Sequence, residues 1–255
     1  MNATISTKTP NGCSLHPIVQ PSRPKALDLF CGAGGAGVGL HRAGFDVTGV
    51  DIKHQRRYPF AFLLGDALEA DLSRFDFVWA SPPCQRYTVS QNASKNRDAH
   101  PDLIAPIRAK LQAWGGPWII ENVVGAPLLN PVTLCGLALG LNVKRHRRFE
   151  SNQKLVGSGC GDHNRDYYLL QGREVRCRVR MGADPKGTRC GLRVATDIGR
   201  KAMGIDWMTR AEMSEAIPPA YSEFLARQIT CGVTARLNAK VSEPGGPARP
   251  NSPKT

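Results

Sequence analysis

No segment of the chain approaches the roughly twenty consecutive apolar residues of a membrane helix, so no membrane partner is expected. The first two dozen or so residues are polar and proline-rich and lack the apolar run of a secretory signal. The expected location is therefore a reducing cytoplasm, in which the 8 cysteines stay free thiols. Acidic residues are scarce. The 21 Asp and Glu against 34 Lys and Arg leave a formal charge of +13, the sign of a protein that sits on a phosphate backbone. There is no Gly-Lys-Ser/Thr, which disfavours a P-loop nucleotide hydrolase, and no internal repeat. No histidine stands in a motif that would partner a hydrolytic thiol.

What is present suits one main α/β domain with a modest insertion, which 255 residues can build without staples. Residues 1–24, rich in Ser, Thr, Asn and Pro, and residues 238–255, rich in Pro and Gly, are expected to be disordered. Short apolar runs at 26–30, 46–50, 75–80 and 118–120 read as buried strands separated by lengths that suit crossover helices, hence a parallel sheet over 25–150. From 151 to 196 the texture turns to Gly, Arg, Cys and Asp with little apolar period, which predicts a small insertion. Residues 197–237 return to the main domain, with helices expected over 210–216 and 220–230 and a break at Pro218-Pro219.

Asp28-Leu29-Phe30-Cys31-Gly32-Ala33-Gly34-Gly35 runs from a predicted strand into a predicted helix. In that context glycines either let the backbone approach a nucleotide-like ligand or serve close packing of helix on sheet. A second strand ends at Asp51, about seventeen residues beyond Gly34, where a carboxylate can accept from ribose hydroxyls. A third ends at Gly65-Asp66, within reach of an adenine edge. Ser81-Pro82-Pro83-Cys84-Gln85 follows the fourth strand and places Cys84 at the carboxyl edge of the sheet, where open α/β folds bind ligands. A thiol suits addition to an electron-poor ring. The fifth strand delivers Glu121-Asn122-Val123 to the same edge, where an enclosed carboxyl can protonate or hydrogen-bond a ring nitrogen.

In this order the segments resemble the DNA (cytosine-5) methyltransferase family, over roughly residues 25–150 and 197–232, and among its members the short phage- or prophage-borne ones. The resemblance implies a Rossmann-like sheet that binds S-adenosylmethionine, with a small inserted target-recognition region. It implies Cys84 as covalent nucleophile and Glu121 as its acid. Lys144-Arg145-His146-Arg147-Arg148-Phe149-Glu150 resembles the family's arginine motif and implies Arg145 and Arg147 as the pair that holds the target base. Val143 stands where that motif usually opens on glutamine. The cofactor is expected over Phe30, Cys31, Gly32, Gly34 and Gly35, with Asp51 on its ribose, Asp66 near its adenine and the methyl group facing Pro83. Ser214-Glu215 replaces a Gly-Asn pair before Ile217-Pro218-Pro219. The implied partner is double-stranded DNA, bound by a monomer; a transfer RNA substrate and a catalytically silent DNA-binding decoy are the alternatives.

Within the insertion, Arg173, Arg176, Arg178, Arg180, Arg189 and Arg193 suit phosphates or guanine edges. Cys160, His163, Cys177 and Cys190 are of zinc-ligand type, but only Cys160 and His163 have tight spacing, and no metal is assigned.

Overall fold

The computed structural model describes residues 23–88, 100–164, 167–171, 174–178 and 192–241. Seven strands form one sheet: β1 (Lys25–Leu29), β2 (Asp46–Asp51), β3 (Ala61–Leu64), β4 (Phe77–Ala80), β5 (Trp118–Asn122), β6 (Val132–Cys135) and β7 (His146–Ser151). Their order is β3-β2-β1-β4-β5-β7-β6. Only β7 runs against its neighbours, so the sheet is the expected parallel one with one reversed strand inserted near its edge. β6 and β7 have no continuous apolar run, which is why composition alone passed over them.

β4 shows why the strands read as unbroken apolar runs. Phe77 and Trp79 pack into the core on one face of the sheet, and Val78 and Ala80 into the core on the other. The first face is covered by α1 (Gly35–Arg42) and α5 (Pro219–Val241) through Ala36, Leu40, Tyr221 and Leu225. The second is covered by α2 (Ile104–Trp114) through Ile104, Ile107 and Leu111. Arg108 on α2 grips the far end of β7, its Nε 2.6 Å from Glu150 Oε1 and its Nη2 2.7 Å from Glu150 Oε2.

The insertion contains a two-stranded antiparallel hairpin, β8 (Tyr167–Gln171) and β9 (Glu174–Arg178), docked on the main domain through a bridge between Tyr168 and Val143. α3 (Leu192–Met203) and α4 (Arg210–Glu215) follow. Thr209 and Glu212 form a reciprocal capping box at the start of α4. Pro219 opens α5, a position where its missing N–H costs nothing, and α5 continues to Val241, past the expected end. The rest of the two terminal segments lies outside the described residues, as do Arg173, Arg180, Arg189 and Cys190. No helix among the described residues is long and apolar enough to cross a membrane.

Candidate active site

β1 and β4 are neighbours in the sheet, but the chain leaves β1 for a helix on one face and β4 for a helix on the other. A crevice opens between their carboxyl ends, where ligands of open α/β sheets bind. Three loops line it.

The first is the glycine turn after β1. Phe30 holds φ 57°, a left-handed conformation that costs a bulky residue about 1–3 kcal/mol and clusters at functional sites. Gly34, at φ 89°, turns the chain into α1, and a Cβ there would stand 2.8 Å from Pro59. The Asp51 carboxylate ties this turn to β2 by accepting from the Gly32 N–H at 3.0 Å and the Lys53 N–H at 2.9 Å. Trp207 donates its indole N–H to the Ala33 carbonyl at 2.7 Å, so the C-terminal part of the chain clamps the turn from outside. Asp66 accepts from the Leu68 N–H at 2.8 Å and is exposed.

The second loop carries Cys84. Asn122, 1% exposed, donates to the Pro82 carbonyl at 2.9 Å, and Trp79 donates to the Ser81 hydroxyl at 2.9 Å. Beyond the cysteine, its carbonyl accepts from the Tyr87 N–H and the Thr88 hydroxyl, each at 2.9 Å. The loop is thus fixed on both sides of a partly exposed free thiol. Cys31 differs: burial first, then the charges of Asp28 and Asp51, push its thiol far up, so it stays protonated and unreactive.

The third element is the end of β5. Glu121 is 7% exposed, and Arg147 on β7 places its Nε 3.0 Å from Glu121 Oε1. β7 delivers this arginine because it pairs with β5. Burial raises the Glu121 pKa; Arg147, Arg145 and a hydrogen bond with Ser81 oppose the rise without cancelling it.

Together these loops enclose a cleft of about 350 Å³ lined by Phe30, Cys31, Gly32, Gly35, Asp51, Asp66, Pro83, Cys84, Glu121 and Arg147. Two expected site residues do not line it. Gly34 sits behind the turn against Tyr58 and Pro59. Arg145 is buried, donating to the Ser214 carbonyl at 2.7 Å and the Leu170 carbonyl at 3.3 Å, while Tyr221 donates to its own carbonyl. It ties the hairpin and α4 to the sheet. Val143, in the place of the usual glutamine, is fully buried and packs with Met203 and Met208. Glu215 lines the cleft, while Ser214 contributes the carbonyl that holds Arg145.

The cleft also contains residues that the sequence reading missed. Asp28 is fully buried at the cleft's base; Tyr58 donates to its Oδ2 at 3.2 Å, and Oδ1 has no hydrogen-bond partner among the described residues. A carboxylate within an apolar strand was the signal for it. Ile52, 71% exposed, and Leu68 present apolar surface beside Asp51 and Asp66. Nothing local separates them from ordinary strand-end residues.

No family model matches the chain. A curated relative, the type II methyltransferase M.AgeI of Thalassovita gelatinovora, is 31% identical over 40% of this chain, which spans 28% of that protein's length. Among solved structures, one described as a DNA modification methyltransferase encoded within an E. coli prophage matches with a TM-score of 0.52 at 14% identity, covering 84% of this chain and 99% of that one. The Dnmt2 methyltransferase of S. pombe matches with a TM-score of 0.50 at 13% identity, over 85% of this chain and 100% of the other. Spodoptera frugiperda DNMT2 also matches at 0.50 and 12% identity, over 78% and 97%. The resemblance read from the motifs thus meets a curated methyltransferase in sequence, and the seven-stranded Rossmann-like sheet of this chain matches the fold of the three solved methyltransferases.

Proposed function

We propose that this protein is a DNA (cytosine-5) methyltransferase that transfers a methyl group from S-adenosylmethionine to a cytosine rotated out of duplex DNA. One observation carries the reading: Cys84, Glu121 and Arg147 line the same cleft as the glycine turn and Asp51. A nucleophile, a buried acid and a nucleoside-type binding edge stand within one small volume. The similarity to a type II methyltransferase and to a protein described as a DNA modification methyltransferase supports DNA as the polymer.

The residues fit the cofactor. The unpartnered Asp28 Oδ1 at the base of the cleft suits a cationic amino group, Asp51 suits ribose hydroxyls, and Ile52 with Leu68 suits the faces of an adenine ring. Bound there, S-adenosylmethionine supplies an electrophilic methyl group. The protein's own part is to activate the base. Cys84 as thiolate adds to carbon 6 of cytosine while Glu121, whose burial raises its pKa and so favours the protonated form, gives its proton to or shares it with ring nitrogen 3. Electron density then collects on carbon 5. Once that carbon is methylated, its proton leaves to a base or water and the Cys84 sulfur is expelled. Arg147 keeps the Glu121 carboxyl aimed across the cleft. The 151–196 segment, with the β8–β9 hairpin, is the region proposed to read the DNA.

The test is transfer of labelled methyl groups to duplex DNA and to RNA by the wild type, Cys84→Ser and Glu121→Gln, beside calorimetric cofactor binding. Cys84→Ser is expected to abolish turnover, and Glu121→Gln to lower it by about 10²–10⁴-fold, both binding cofactor as the wild type does. Full turnover by Cys84→Ser would remove the nucleophile. Label in RNA alone would change the substrate, and failure to bind cofactor would leave a silent DNA-binding protein.

A further inference from the structure

Away from the cleft, four side chains of zinc-ligand type converge. Cys135 ends β6 and is fully buried; His146 opens β7 and is its direct cross-strand partner. Cys160 and His163 come from the loop beyond β7, spaced Cys-x-x-His. One ligand atom from each of the four lies within 4.8 Å of every other. Cys135 Sγ is 3.4 Å from His163 Nε2, and His146 Nε2 is 3.3 Å from Cys160 Sγ. Zinc bonds of about 2.3 Å to sulfur and 2.0–2.1 Å to nitrogen place tetrahedral sulfur–nitrogen edges at about 3.5 Å.

The surroundings favour the same geometry. Cys135 packs in a small apolar cluster with Leu137 and Tyr167, which shields that side from water. The Cys-x-x-His turn is pressed onto the short 3-10 turn at Gly136–Leu139: a Cβ on Gly161 would stand 2.7 Å from the Ala138 nitrogen. Such an approach brings Cys160 and His163 over the β6–β7 pair. The set is two sulfurs and two imidazoles with no carboxylate, which selects zinc over magnesium or calcium, and four protein ligands leave no open position for catalysis.

We propose that Cys135, His146, Cys160 and His163 form a structural zinc site. His146 stands between Arg145 and Arg147, so the ion locks the start of the strand that presents Arg147 to Glu121. It also fastens that strand to the loop leading into the β8–β9 hairpin. Of the four residues of zinc-ligand type noted in the insertion from sequence, for which no metal was assigned, Cys160 and His163 take part. Cys190 lies outside the described residues, and Cys177 falls on β9 where no side chain is described.

The experiment is metal analysis of the purified full chain by plasma mass spectrometry, with cobalt(II) substitution read by visible absorption and thermal melting before and after chelation. One zinc per chain is expected, with the d–d and thiolate charge-transfer bands of tetrahedral sulfur-bound cobalt and a lower Tm after chelation. Cys160→Ser and His163→Ala, both in a surface loop, should lose the metal, while Cys177→Ser keeps it. Four outcomes would overturn the site: a folded chain that takes up no stoichiometric zinc, full zinc retention by the Cys160→Ser/His163→Ala double variant, loss of zinc in Cys177→Ser, or a Cys135–Cys160 disulfide in the native protein. None of these readouts depends on methyl transfer.

Discussion

Asp28 concentrates the electrostatic tension of the site. Its side chain is wholly removed from water, one oxygen is unpartnered, and burial raises its pKa well above the usual carboxylate range despite the Tyr58 hydroxyl and the Gly37 N–H. Tyr58 is pushed up as well, chiefly by burial, so while no cation stands beside Asp28 this corner favours neutral forms. A carboxyl whose folded pKa lies above its unfolded value of about 3.9 contributes its stability in the protonated state. That contribution is complete below the unfolded pKa and is lost as pH rises towards and through the folded one. The cofactor-free wild type should therefore lose Tm relative to Asp28→Asn as pH is raised from about 4 to 7, since the amide has no proton to lose. Parallel Tm–pH curves for the two proteins would show that Asp28 is not held neutral. At this scale a residue that breaks a pattern carries the signal: Cys84, after two prolines, was read from the sequence, whereas Asp28, which breaks an apolar strand, was missed although its signal was there. Ile52 and Leu68 break none, so only the closing of the cleft revealed them.

The elements that hold the site in place rely on packing more than on propensity. α1 is 8 residues long and contains Gly35, Gly37 and Gly39, a poor helix in isolation. Its stability comes from lying against α5, where Ser222 donates its hydroxyl to the Ala36 carbonyl at 2.8 Å. A methyl group on Gly39 would overlap the Pro219 carbonyl and the Ser222 hydroxyl. Gly39→Ala should therefore lower stability by about 1–3 kcal/mol, although alanine is the better helix former. In a domain of this size that is a fall in Tm of roughly 2–12 °C, readable by differential scanning fluorimetry. A rise in Tm would mean that α5 does not seat on α1 as described. The glycine spacing was visible in the sequence, but the choice between ligand approach and helix packing was not. The structure divides the roles: Gly32 and Gly35 line the cleft, Gly34 supplies the turn, and Gly39 receives α5.

For the whole molecule, the net charge of +13 is the main determinant of how it meets a polyanion. If the protein engages duplex DNA through several phosphates, log K should fall linearly with log salt, weakening by about 10³-fold or more between 50 and 200 mM. Fluorescence anisotropy on a short duplex reads this directly, and a slope near zero would place the excess charge away from the DNA face. The sequence by itself determined that Cys84, Glu121 and the glycine turn would share one edge, because parallel strands all point their carboxyl ends the same way and each motif sits where a strand ends. Tertiary structure alone decided the rest. Arg145 and Arg147 are two residues apart and equivalent by strand periodicity, yet Arg145 is drawn into the interior by the carbonyls of Leu170 and Ser214, and Arg147 reaches Glu121. Cys135 and His146 became partners because β7 inserts antiparallel between β5 and β6, a pairing set by cross-strand hydrogen bonds between distant residues, for which no local pattern exists.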